Sequence, residues 1–131
     1  MVRQVDAFIR AFKKPYGRTR LEKARWVKAG KSLIRAIAKH VRATCDYLNY
    51  DPVGNMDRGC ITAFLNRRWG GKYVYISITD FYLSKLRHYP SPIMYQVTKG
   101  VHDWVGGPIK FVELDVKSIL RMIEDIDYLL S

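Results

Sequence analysis

The sequence has few cysteines and no long run of apolar residues. Cys45 and Cys60 are too few and too far apart for a zinc site, and burial as small side chains is their ordinary role. They would form a disulfide only if the protein came from a hyperthermophile, since intracellular disulfides occur there. The low count of three Asn and two Gln favours a thermophilic source. No apolar run approaches the roughly 18 residues of a membrane-spanning helix, and the N-terminus lacks a signal-peptide segment. We expect a cytoplasmic protein, archaeal or viral in a host cell, with no membrane partner.

The sequence also lacks the patterns that carry catalysis. Its three histidines have no partner residues at a catalytic or metal-ligand spacing (His40, His88 and His102). The acids at 124, 125 and 127 fall on the outer side of an amphipathic helix, where solvated charge is the ordinary explanation. Gly30-Lys31-Ser32 has no upstream glycine at the spacing of a phosphate-binding loop. We expect neither an enzyme nor a metal, cofactor or small-molecule substrate.

Acidic residues are almost absent from the first third of the chain. Residues 1–42 contain 13 Lys and Arg against two acids, Asp6 and Glu22, which gives a net charge of +11. The remaining 89 residues carry ten basic and ten acidic residues, so the whole net charge lies in the first third. Solubility does not require such segregation. The pattern therefore predicts a polyanionic partner, of which nucleic acid fits best.

The basic residues follow one side of a long predicted helix, residues 20–48. Thr19 as N-cap and Glu22 three residues later form a capping-box pattern at its start. At 100° per residue, six cations fall on one side: Arg25, Lys28, Lys31, Arg35, Lys39 and Arg42. An apolar arc lies beside them: Val27, Leu33, Ile34, Ile37, Val41, Cys45 and Leu48. We predict that these cations, with Arg18 and Arg20, contact phosphates.

The remaining sequence favours one mainly helical α+β domain of 131 residues. A short basic helix carrying Val5, Phe8, Ile9 and Phe12 precedes the long one. After residue 56 we expect a helix over 57–69, a strand over 72–78, helices over 80–88 and 91–104, a strand over 109–114, and a last helix capped by Asp115. The domain then divides into a basic helical part (1–50), a core (57–114) and a C-terminal amphipathic helix (115–131).

The order of elements over 57–114 resembles the winged helix-turn-helix. The resemblance rests on the strand Tyr73–Ile76, the helices around 81–86 and 93–104, and the wing-like segment 106–114. It implies a fold with a small β-sheet and a recognition helix in the major groove. Carried over by position, four residues of that helix would face DNA: Ser91, Tyr95, Gln96 and Lys99.

A second, shorter resemblance is to the Mor family of phage transcription activators. Gly70 and Gly71, followed by the strand Lys72–Ile76, are similar to the Gly-Gly turn and Tyr-Ile strand of that family. The family's dimerisation helices and strand would overlie residues 33–76, and the resemblance implies that the strand region contacts the DNA minor groove.

We therefore expect a homodimeric, double-stranded DNA-binding protein that acts as a transcriptional regulator or DNA-organising factor. Two alternatives remain open at this point. The basic side would also suit a structural protein, such as a virion or complex subunit, that docks an acidic partner. The second alternative is an RNA-binding protein, because Tyr73 and Tyr75 on one strand face would stack unpaired bases.

Overall fold

The core of the protein is a five-stranded antiparallel sheet, seen in a computed structural model that describes residues 1–13, 20–53, 58–67, 71–101 and 106–131. Its strands are β1 (Thr44–Pro52), β2 (Gly59–Asn66), β3 (Tyr73–Thr79), β4 (Ile93–Thr98) and β5 (Lys110–Val112). The strands pair in the order β1-β2-β3-β4-β5, so each one lies beside its neighbour in the sequence. The sheet is a meander whose edges are β1 and β5.

Helices cover one face of this sheet. They are α1 (Val2–Phe12), α2 (Arg20–His40) and α4 (Val116–Leu129), while the short α3 (Phe81–Leu86) connects β3 to β4. Side chains of α1, α2 and α4 share one apolar core with alternate residues of the strands, such as Ile61, Ile76 and Ile93, which are fully buried. The opposite face of the sheet carries a smaller cluster of Phe64, Tyr75 and Met94.

The predicted mainly helical fold with a winged-helix core is wrong. The segment predicted as a recognition helix, 91–104, contains β4, and the segment predicted as a helix over 57–69 contains β2. The helix pair of a helix-turn-helix is therefore missing from the described residues of this region, where α3 is followed by a strand. The protein is an α+β fold built on a five-stranded antiparallel sheet, and its long N-terminal helix is present.

The long helix ends eight residues earlier than predicted. It stops at His40 because Arg42 adopts a left-handed conformation, with a φ of 56°. The backbone N–H of Ala43 then donates to the carbonyl of Ala38 at 2.8 Å, and that of Arg42 to Lys39 at 3.2 Å. This pair of bonds is a Schellman cap, which satisfies the last carbonyls of the helix without the usual glycine. The residues after it form β1, an edge strand with a bulge next to Tyr47.

The other predicted helices and strands are confirmed, while the N-cap predicted at Thr19 lies outside the described residues. Helix α1 buries the four predicted residues, Val5, Phe8, Ile9 and Phe12. Strand β3, helix α3 and strand β5 lie where strand, helix and strand were expected. Asp115 caps α4 by accepting a hydrogen bond from the backbone N–H of Ser118 at 2.8 Å.

Candidate nucleic-acid interface

Helix α2 presents an exposed cationic face to solvent. Its buried side consists of Trp26, Gly30, Leu33, Ile34, Ile37 and Ala38. On the opposite side, Arg25, Lys28, Arg35 and Lys39 are exposed and Lys31 is half-buried. The 21 residues of α2 span about 30 Å, so these cations form a row along most of its length. We call the side chains of Arg20, Arg25, Lys28, Lys31, Arg35 and Lys39 the basic face.

A shallow trough runs along one flank of the basic face. It has a volume of about 500 Å³ and is lined by Arg20, Lys23, Ala24, Val27, Lys28, Lys31 and Arg35. None of these residues is acidic. Five cationic side chains line the trough together with the apolar Ala24 and Val27, so positive charge is concentrated along it.

Of the two other residues predicted to contact phosphates, one is not described by the structure and the other lies apart from the basic face. Arg18 lies outside the described residues. Arg42 follows the end of α2 and lines a separate cleft of about 530 Å³ with His40, Val41, Arg67 and Asp127. In that cleft the Arg67 guanidinium donates to the Val41 carbonyl at 2.8 Å and also pairs with Asp127 of α4. Arg67 therefore links the residue that follows α2 to the C-terminal part of α4.

The four residues taken from the helix-turn-helix resemblance are not brought to this surface. Ser91, Tyr95 and Gln96 are buried, because they precede or lie within β4 instead of projecting from a helix. Ser91 donates its hydroxyl hydrogen bond to the carbonyl of Val112. Lys99, which follows β4, is exposed. Their expected position on the outer side of a recognition helix is therefore wrong.

Tyr73 and Tyr75 do not form the exposed base-stacking surface that was predicted for them. Tyr75 is buried against Phe64, with ring centroids 5.1 Å apart, and burial raises the pKa of its hydroxyl to about 12. Tyr73 is half-buried and packs against the same cluster. The phenol rings are therefore part of the second face of the sheet. The strand of the Mor-like segment is the central strand β3, and the resemblance itself stays a prediction.

Two adjacent exposed aromatic residues lie on α3 instead. Phe81, Tyr82 and Leu86 expose 41%, 48% and 52% of their surfaces, respectively, beside the exposed Lys85 and Arg87. A six-residue helix that buries Leu83 and Ser84 has no room to bury the adjacent bulky pair Phe81 and Tyr82 as well.

No family model, curated protein or solved structure matches this chain. Over the described ranges, none of the helices is long and apolar enough to cross a bilayer. The same residues contain no group of three His, Cys, Asp or Glu side chains that could hold a metal ion. Both cysteines are free thiols, and burial is the main reason that the pKa of each is raised.

Proposed function

We propose that this protein binds duplex DNA along the basic face of α2 and acts as a DNA-organising factor or transcriptional regulator. The observation that carries the proposal is the row of exposed cations on one rigid helix, which holds no acidic side chain on that face. Each cation that neutralises a phosphate releases condensed counterions, and this release drives sequence-independent binding.

The anchoring of α2 supports this role. Six residues of the helix are buried against α1 and the sheet, so its exposed side is fixed before the ligand arrives. Like charges at i, i+3 and i+4 repel each other by a few tenths of a kcal/mol per pair, and phosphates would relieve that repulsion. The basic face is therefore preorganised for a polyanion and electrostatically unfavourable without one.

The predicted mode of base reading does not enter the proposal, because Gln96 and Tyr95 are buried. Phosphate contacts fix position and orientation on a duplex but carry no sequence information. We expect the protein to bind different duplex sequences with similar affinity. The predicted homodimer remains a prediction, and the apolar stripes of α2 and α4 pack on the protein's own core.

A salt titration of a triple variant tests the proposal. Replacing Lys28, Arg35 and Lys39 with Ala removes three exposed cations without removing a buried side chain. For duplex DNA, the plot of log K against log salt should have a negative slope, and each phosphate contact should contribute about −0.9 to it. In the triple variant the slope should be less negative by up to about 3 units. Fluorescence anisotropy with a labelled duplex measures both slopes, and circular dichroism checks the fold.

A matched control carries the same loss of charge elsewhere. Lys72, Lys117 and Arg121 are exposed and lie outside α2, so their replacement with Ala should leave the slope nearly unchanged. Equal effects of the two triple variants would show that only net charge matters and would refute a dedicated face. Binding that prefers RNA, or that responds to an acidic protein but not to DNA, would favour the alternatives.

A further inference from the structure

Helix α3 and the start of β2 form a cluster of aromatic and cationic side chains. The guanidinium carbon of Arg58 lies 4.8 Å from the centre of the Tyr82 ring, a cation–π geometry. Arg87 lies 6.0 Å from the ring centre of Tyr89. Because Tyr82 is still 48% exposed, part of its ring surface remains open to solvent.

A buried carboxylate holds the parts of this cluster in place. Asp80, which is fully buried, accepts hydrogen bonds from the backbone N–H groups of Gly59 and Leu83, both at 2.9 Å. The first bond fixes the start of β2 and the second caps α3, and Arg58 lies 3.9 Å from the same carboxylate. The relative position of Arg58 and Tyr82 is therefore set by the fold.

A string of contacts connects this cluster to α2. The Lys23 ammonium, which lines the trough, lies 5.1 Å from the centre of the Tyr50 ring on β1. That ring lies directly over Gly59, where a Cβ would come within 2.9 Å of the Tyr50 Cζ and hydroxyl oxygen. Since Arg58 precedes Gly59, the path runs from the trough over Tyr50 to Tyr82.

The aromatic packing beneath α3 joins the same parts of the molecule. Phe81 contacts Phe12 of α1 with ring centroids 4.7 Å apart, and Phe12 contacts Trp26 of α2 at 5.8 Å. Helix α3 is thus supported by α1, next to the N-terminal half of α2. Packed side chains therefore join the cluster to the N-terminal half of α2, and the contact of Lys23 with Tyr50 connects it to the trough.

We propose that Tyr82, backed by Arg58, stacks an unpaired nucleobase of a single strand whose phosphates contact Lys85 and Arg87. This inference rests on the proposed function for its position and extends it to a substrate class, namely DNA with unpaired bases next to a duplex. A base is planar and stacks on an exposed ring whatever its sequence, and alanine substitution of such a ring costs about 1–3 kcal/mol per base. In an intact duplex the base faces are covered by neighbouring bases.

Charge complementarity favours this ligand. Arg58, Lys85 and Arg87 supply three cations around two aromatic rings. Among the described residues of the region, two carboxylates are already engaged, because Asp80 is buried and Asp51 accepts a hydrogen bond from the Thr62 hydroxyl at 2.9 Å. Alternating cations and rings are the usual composition of surfaces that follow a single strand.

The test compares single-stranded and blunt duplex DNA. Fluorescence anisotropy is recorded with labelled oligothymidylate of about 12 nucleotides, within the usual range of single-strand site sizes, and with a blunt duplex. Tyr82→Ala should weaken oligothymidylate binding about tenfold and leave duplex binding within about twofold, as expected for loss of one stacked base. Tyr82→Trp should retain the affinity of the wild type, because it keeps an aromatic face.

The matched control is Tyr128→Ala, which removes a tyrosine that is 77% exposed on α4 and should change neither affinity. Failure of oligothymidylate to bind, or equal binding by Tyr82→Ala and wild type, would overturn the proposal. So would a Tyr82 dependence seen only with phosphatidylglycerol vesicles, since that result would make α3 a membrane contact. Tyr82-dependent binding of oligothymidylate with no affinity for the duplex would support the stacking of a base on Tyr82, but would refute the proposed function and the duplex beside the single strand.

Discussion

Asp125 shows how a single carboxylate connects three elements at the residue scale. Its Oδ2 atom accepts a hydrogen bond from the Tyr95 hydroxyl of β4 at 2.5 Å and one from the Lys110 ammonium of β5 at 2.9 Å. The Tyr95 bond is the largest cause of a lowered pKa for Asp125, and Lys110 lowers it further. Burial, followed by the bond to Asp125, raises the pKa of Tyr95. The charged carboxylate therefore stabilises the contact of α4 with this edge of the sheet.

Asp125→Asn should reduce stability at neutral pH by about 1 kcal/mol, the typical net value of a hydrogen bond, because the group is partly exposed. A folded-state pKa below the ordinary value means that Asp125 stabilises the fold above that value and loses the contribution as pH falls through the folded pKa. Urea unfolding of both proteins between about pH 5 and pH 2 should show a smaller acid-induced loss for the variant.

Glu124→Gln provides the control, because Glu124 is exposed beside Asp125 on α4. It should have the same acid response as the wild type. If Asp125→Asn also followed the wild-type curve, the carboxylate would have no part in the stability of this edge.

The packing of α2 on the sheet depends on a glycine at the element scale. Gly30 faces β2, and a Cβ at this position would lie 2.3 Å from the Cδ1 atom of the fully buried Ile61. Gly30 is unfavourable for a helix interior by about 1 kcal/mol relative to Ala. The close approach of helix and strand explains why it is there.

Gly30→Ala should destabilise the protein by about 1–2 kcal/mol, because overpacking exceeds the gain in helix propensity. In an Ile61→Val background, which lacks the clashing Cδ1, the same change should be neutral or stabilising by up to about 1 kcal/mol. Denaturant unfolding of the four proteins forms a double-mutant cycle. Equal effects of Gly30→Ala in both backgrounds would contradict the contact.

The elements that sequence reasoning identified are those in which residue types repeat with a clear period. Strand β3 is buried on both faces, but its aliphatic residues alternate with Tyr and Ser, and α1 and α4 each carry a single apolar stripe. Strand β2 is buried on both faces, and its Ile61, Phe64 and Leu65 occur at i, i+3 and i+4, which also fits a helix. Periodicity alone does not distinguish these two structures for a short apolar run.

Local signals at strand β4 and at the end of α2 were misleading for specific reasons. Ser91 followed by Pro92 is a typical helix start, yet the Ser91 hydroxyl bonds to Val112 on the neighbouring strand. Cys45 and Leu48 continue the apolar spacing of α2, and the Schellman cap that ends the helix uses Arg42 where a glycine would have marked it. The basic face was predictable because it depends on charge and helical spacing, whereas the α3 cluster depends on contacts between distant segments.

At the scale of the whole molecule, folding brings a net charge of +11 together in a chain of 131 residues. Added salt screens the repulsion within the basic face and should raise the melting temperature of the free protein, while it weakens DNA binding. Differential scanning fluorimetry between about 0.05 and 0.5 M NaCl measures the first effect. The Lys28, Arg35 and Lys39 triple-Ala variant should show a smaller rise, and a rise as large as that of the wild type would place the repulsion elsewhere.

The meander order of the sheet also bears on how the chain folds. Every strand pair is a pair of sequence neighbours, so each can close as a local hairpin with a small loss of chain entropy. The helical layer behaves differently, because α1 contacts α4 across most of the sequence. During synthesis the part of α1 that packs on α4 must therefore stay uncovered until α4 has left the ribosome, and the newly made sheet spends that time with part of its core exposed.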